Sequence, residues 1–113
     1  MTTIDKKTYL SALSKADKKE FIDENQYSDE YIQFGLAYCG LHYQKNGIVQ
    51  INGLISFKRG DGALLVKELQ KKHKYLRLNC LGESLERYYS KLGFKPYLKL
   101  RLYTEMFWTR EDY

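Results

Sequence analysis

The stretch ESLERYYSKLGFKPY, Glu83 to Tyr97, decides how this chain is read. Leu85, Tyr88, Tyr89 and Leu92 stand at i, i+3, i+4 and i+7. That spacing predicts a helix turning both tyrosines toward the protein. Gly93 supplies the conformation that ends such a helix, and Phe94 opens a strand. Working upstream, YLRLNC (75–80) alternates as a strand, and ALLVKELQKKHK (63–74) reads as a helix. Leu64, Leu65 and Leu69 mark the buried face of that helix, and its lysines sit at the negative end of the dipole. Before it comes KRGDG (58–62), which leaves a strand and enters a helix.

Further upstream, IQFGLAYCGLHYQ (32–44) and GIVQINGLIS (47–56) are rich in aromatic and β-branched residues. They flank Asn46-Gly47, so a β-hairpin is expected. Gly35, Gly40 and Gly53 inside these runs predict bulges or close approach of another group. Between Lys6 and Asn25 the apolar spacing predicts two short helices that break near Ala16-Asp17. Asp17 and Glu20 form a capping box for the second, and Ser28 caps a further brief turn. Downstream, YLKLRLYTEMFW (97–108) is one long strand or a pair bent near Tyr103-Thr104. The order of elements gives an α+β domain with a mixed β-sheet flanked by helices and at least one parallel crossover.

A chain of 113 residues fits one domain, residues 1–113. Its 43% hydrophobic and 29% charged residues are the balance of a folded chain. Lys plus Arg number 19 against 14 acidic residues, a formal +5 that favours phosphate-bearing partners: nucleic acid, a nucleotide cofactor or an acidic protein. Cys39 and Cys80 fall in strands without CxxC spacing, and His42 and His73 complete no metal pattern with them, so buried free thiols and no metal are expected. MTTIDKKTYL lacks the apolar core of a secretory signal, and no apolar run reaches the roughly 18 residues that span a bilayer. A cytoplasmic protein without a membrane partner is the expectation.

The loop KRGDG has the chemistry of an anion site. The amides of Arg59 through Ala63 precede any helical carbonyl that could take them, and the positive end of the helix dipole lies behind them. Gly60 and Gly62 admit a bulky group such as a pyrophosphate, while Lys58 and Arg59 add charge. An ordinary tight turn is the alternative. The loop is neither the GxxxxGK[ST] of phosphate-loop ATPases nor the GxGxxG of dinucleotide folds.

A strand, a Gly-x-Gly loop, a helix, a strand and a helix ending in YSKLGF together resemble the GCN5-related N-acetyltransferase (GNAT) family. The resemblance covers about Gly47 to Tyr97, with weaker continuity through the last strand and a shortened region 1–30. It implies acetyl-CoA as cosubstrate and a primary amine, on a protein or a small molecule, as acceptor. The family's pyrophosphate loop, (Gln/Arg)-x-x-Gly-x-(Gly/Ala), falls on Phe57-Lys58-Arg59-Gly60-Asp61-Gly62, leading into Ala63. Phe57 departs from the pattern. The pantetheine arm is then expected along Leu54, Ile55 and Ser56, pairing like an added strand. Tyr89, four residues before Gly93, matches the tyrosine that protonates the leaving thiolate, with Tyr88 as packing. Gly82 stands where many relatives carry Asn. The strand IVQINGLIS has no carboxylate, so a base would come from His42, Glu30, Glu105 or water. Two other readings compete: a non-catalytic relative that binds CoA or a protein, favoured by Phe57 and Gly82, and a small basic single-stranded nucleic-acid binder, disfavoured by dispersed charge. Met106, Phe107 and Trp108 make the last strand apolar enough either to pair across a homodimer or to lie covered inside the sheet.

Overall fold

The computed structural model describes residues 1–16 and 27–110. In chain order its elements are β1 (Thr2–Ile4), α1 (Lys6–Ser14), β2 (Glu30–Phe34), β3 (Ala37–Tyr43), β4 (Ile48–Ser56), α2 (Asp61–Lys72), β5 (Tyr75–Cys80), α3 (Glu83–Lys91), β6 (Lys95–Lys99) and β7 (Thr104–Thr109). The strands form one seven-stranded mixed sheet in the order β1-β2-β3-β4-β5-β7-β6. Only β4 and β5 run parallel, joined by the α2 crossover; the other neighbours are antiparallel. The fold is therefore α+β, with helices on both faces of a mixed sheet. None of the described helices is long and apolar enough to cross a membrane.

Alternation sorts the side chains onto two faces. On one, Ile32, Cys39, Leu41, Val49, Ile51, Leu76, Leu78 and Met106 pack with Leu65, Val66 and Leu69 of α2 and Tyr89 of α3. On the other, Tyr9 and Leu13 of α1 close over Ile55. Asp5 starts α1 by accepting a hydrogen bond from the Thr8 amide at 2.7 Å, and hydrogen bonding from the Thr8 side chain first, then from this amide, holds its carboxyl below the usual range. Gly93, at φ +96°, ends α3 as expected, and the Phe94 amide returns to the Tyr89 carbonyl at 3.1 Å. Cys39 and Cys80 are buried free thiols.

Several expectations needed revision. The run 32–44 is two strands, not one, because the chain reverses at Gly35-Leu36. Gly35 takes φ +57° and the Leu36 amide donates to Asp61 Oδ2 at 2.8 Å. Residues 97–108 likewise hold two strands. β7, with Met106, Phe107 and Trp108, is interior and paired on both sides, which leaves β6 as the edge. β1 escaped notice, since three residues carry too little periodicity to read. On α2, Leu64 is exposed and Val66 is buried in its place. The register that buries Leu65 and Leu69 turns Leu64 out. The second N-terminal helix and its capping box lie outside the described residues.

The bulge expected at Gly53 is present. Between Tyr38↔Ile55 and Gly40↔Asn52, β4 spends three steps where β3 spends two, and Gly53 at φ +56° absorbs the extra residue. The Tyr9 hydroxyl donates to the Gly53 carbonyl at 2.7 Å and ties the bulge to α1.

The Gly35 turn and the start of α2 share one contact: a Cβ at Gly35 would stand 2.5 Å from Asp61 Oδ2. Gly35→Ala is expected to cost ~2–3 kcal/mol through backbone strain and this clash, and Asp61→Ala ~1–2 kcal/mol through the lost hydrogen bond. In urea melts the double variant should lose less than the sum, because the new methyl enters space the carboxylate has left.

Candidate functional site

β4 changes company halfway along its length. It pairs with β5 only from Ile48↔Tyr75 to Ile51↔Leu78. Beyond that point, the stretch ending at Ile55 and Ser56 keeps β3 on one edge and has no strand on the other. The parting of the two parallel strands beyond Ile51↔Leu78 is termed the wedge below, and Leu54, Ile55 and Ser56 lie on its β4 side. A strand edge of this kind offers backbone donors and acceptors to an extended ligand.

The glycine loop sits at the wide end of the wedge. The Ser56 hydroxyl donates to the Lys58 carbonyl at 2.7 Å, and the Phe57 amide is taken by the Leu36 carbonyl at 2.9 Å. Gly60, at φ +94°, is the cap of α2 and has open space where a side chain would be. The Asp61 amide closes a turn onto the Lys58 carbonyl, but its carboxylate is drawn back to Leu36, away from the helix mouth. Among the described residues nothing accepts from the Gly62 and Ala63 amides, and neither Lys58 nor Arg59 meets a carboxylate. The loop thus collects positive charge and free donors at one spot.

Gly62 marks the tightest approach in the site. A Cβ there would lie 3.2 Å from the Tyr88 hydroxyl and 3.5 Å from Ser56 Cβ. The helical spacing suggested that both tyrosines face inward, but the structure separates them. Tyr88, 37% exposed, hangs over the loop. Tyr89, 7% exposed, points into the core with its ring edge-on to Phe94 at 5.8 Å and to Tyr88 at 5.1 Å. The 100° step between consecutive helical residues is the signal that distinguishes them. Burial pushes the Tyr89 phenol far above its ordinary value, with smaller contributions from Tyr88, Cys39 and Cys80. Tyr89 belongs to the same buried cluster as Cys39 and Cys80, the last residue of β5. Its hydroxyl has no hydrogen-bond partner among the described residues.

The opposite face of the wedge is polar. Gln50 and Asn52 are buried on β4, and Asn52 Nδ2 donates to the Tyr27 carbonyl and the Ser28 hydroxyl while Oδ1 accepts from Gln50 Nε2. Gln44 Nε2 donates to Gln50 Oε1, and Arg77 joins Gln44 to Glu105, with 3.0 Å between Arg77 Nη2 and Glu105 Oε1. The polar alternation of "QIN" within an apolar strand is the sequence signal for this chain of contacts. Of the three side chains considered as a base, Glu30 is held at the far side of the sheet by Thr3 and Tyr43, and the His42 ring packs edge-on to Tyr27 at 5.3 Å. Glu105 is the one beside the wedge. A cleft of about 630 Å³ also lies between α1 and the loop, walled by Tyr38 and Phe57 and edged by Lys7 and Lys15. Phe57 packs edge-on to Tyr38 at 6.0 Å, so its side chain belongs to that cleft rather than to the amides of α2.

No family model matches the chain, and no curated protein matches it. Among solved structures, it is similar to a Bacillus subtilis acetyltransferase crystallised in complex with CoA. The TM-score is 0.64 at 16% identity, with 97% of this chain and 95% of that chain covered. The two chains therefore share their fold over nearly their whole lengths.

The burial of Tyr89 has a spectroscopic consequence. Tyr89 and Tyr9, both raised chiefly by burial, should ionise after the other phenols in an alkaline titration followed at about 295 nm. Because the folded state holds these protons more tightly than the unfolded chain, their contribution to stability is complete below about pH 10 and is lost as pH rises above it. Tyr89→Phe should remove one late-titrating phenol and flatten that alkaline loss. An unchanged late phase would contradict the burial.

Proposed function

We propose that the protein is an acetyl-CoA-dependent N-acetyltransferase of the GNAT type, with residues 1–113 working as one domain. The observation that carries this reading is the wedge between β4 and β5, with the free amides of Gly62 and Ala63 at its wide end. Leu54, Ile55 and Ser56 would pair with the pantetheine arm, leaving its thioester near the Gly53 bulge. Gly60, Asp61, Gly62 and Ala63 would hold the pyrophosphate by backbone donors, helped by Lys58 and Arg59. The absence of side chains at Gly60 and Gly62 fits a group of that size. Phe57, turned into the α1 cleft, supplies no contact there, so the amides and the two cations must suffice.

Tyr89 is the proposed proton donor. Its raised phenol stays protonated through neutral pH, so a proton is in place to be given as the C–S bond breaks. The acceptor, as the free amine, attacks the thioester carbonyl carbon, the C–S bond breaks, sulfur takes the phenolic proton, and the proton shed by the new amide nitrogen returns through water to the phenolate. Tyr88 frames the loop by its contact with Gly62. The acceptor is a primary amine whose identity lies with residues on the opposite face of the sheet.

CoA and acetyl-CoA should raise the melting temperature, since a ligand at about 100 times its Kd adds ~2.7 kcal/mol to the folded state. Gly62→Val should abolish that shift by filling the approach beside Tyr88 and Ser56, while a cooperative melt confirms folding. Tyr89→Phe should bind CoA like the parent and turn over about 10²-fold more slowly. Binding without turnover in the parent would favour the non-catalytic reading, and no binding at millimolar CoA would remove both.

A further inference from the structure

We propose that Glu105 is the anchor for the acceptor's ammonium group, placed on the sheet face opposite α2 and α3 and held there by Arg77. This rests on the acetyl-transfer reading of the wedge and names the acceptor side of the same site. β4 and β5 part company after Ile51↔Leu78, so Asn52 and Asn79 are the first residues past the parting, and Asn79 is directly opposite Glu105 on β7. Strand alternation puts Asn52, Asn79 and Glu105 on the same face, in one row across the mouth of the wedge. Facing side chains in such a row lie about 5 Å apart. A group docked on Glu105 therefore reaches the wedge from the side opposite Tyr89, which lets attacking and leaving atoms occupy different faces of the sheet.

The unbonded carboxylate oxygen suits a charged N–H donor. Glu105 Oε1 is engaged by Arg77 Nη2 at 3.0 Å, and no described residue is bonded to its second oxygen. The carboxylate side chain is 18% exposed, so a cation reaching it is less screened than at an open surface. Arg77 is fixed from behind, because Gln44 accepts from its Nη1 at 3.4 Å and is itself tied through Gln50 to the buried Asn52. A mobile arginine would fold over both carboxylate oxygens; an anchored one leaves the second oxygen for an incoming N–H donor. Leu98 of β6, paired with Glu105 on its other side and 44% exposed, gives the methylene chain of an amine an apolar wall. Among the described residues no other carboxylate stands in this row. One carboxylate with the apolar Leu98 beside it suits a primary ammonium on an unbranched aliphatic stem, with no anionic group next to the nitrogen.

The test uses n-butylammonium chloride as the probe, titrated into isotopically labelled, CoA-loaded protein and followed by NMR. The expected result is movement of the Glu105 carboxyl carbon together with the Arg77 side-chain and Asn79 signals. Butanol, the neutral counterpart, should move none of them. Glu105→Gln, which keeps the size of the side chain and an acceptor for Arg77, should weaken the probe at least 10-fold while CoA affinity and the melting temperature stay near the parent's. Equal shifts with butanol, parent-like binding by Glu105→Gln, or shifts confined to the α1 cleft would each overturn the proposal. If CoA itself moves no signal at Leu54–Ser56 or Gly62, the cofactor reading is the one that has failed. If CoA binds there and butylammonium leaves Glu105 unmoved, only the ammonium anchor falls.

Discussion

The bulge at Gly53 is the constraint on which the rest of this structure turns. One extra residue in β4 reverses which side chains face which way, so Val49 and Ile51 feed the core beneath α2 while Ile55 crosses to the face covered by α1. A glycine at φ +56° accommodates the extra residue at little cost, and the Tyr9 hydroxyl holds its carbonyl from the α1 side. The pairing with β5 is lost just before the bulge. A continuous parallel ladder would have filled the space; the bulge and the parting leave a backbone edge beside a glycine loop.

The sheet then divides labour between its faces. The face under α2 and α3 is apolar and contains Tyr89. The other is polar over its centre, with Gln50 and Asn52 buried yet fully bonded, which is how a central strand tolerates two amides. Those amides run to Arg77 and Glu105, so the polar face is braced as a unit. The glycine loop is braced separately: the first carboxylate of α2 is spent on the Leu36 amide instead of the helix mouth. A carboxylate left at the mouth would oppose any anion there. The same hydrogen bond therefore fixes the β2–β3 turn and clears the loop.

How much of this could be read from residues varies with the range of the interaction. The helix ending at Gly93, the hairpin turn at Asn46-Gly47, the α2 crossover and the glycine loop are local in sequence and were legible. The bulge was one of the two uses open to a glycine inside "QINGLIS", the other being close approach of another group. The split of 32–44 into two strands was not, since Gly35-Leu36 becomes a turn only through Asp61, 25 residues away. The divergence of Tyr88 and Tyr89 was half legible: the 100° step between neighbours on a helix sets them apart, and the packing of α3 against Phe94 and the loop decides which goes in. The row of Asn52, Asn79 and Glu105 could not be read at all, because it exists only once the sheet order and registers are known.

In the proposed function, the β4 edge and the amides opening α2 together receive one extended, phosphate-bearing ligand. Amide hydrogen exchange measured by NMR with and without CoA tests it most directly. The prediction is slowed exchange at Ile55, Ser56, Gly62 and Ala63 by at least about 10-fold, with the rest of β4 unchanged. Protection confined to the α1 cleft, or an unchanged exchange rate at Gly62 and Ala63 when CoA is bound, would contradict it.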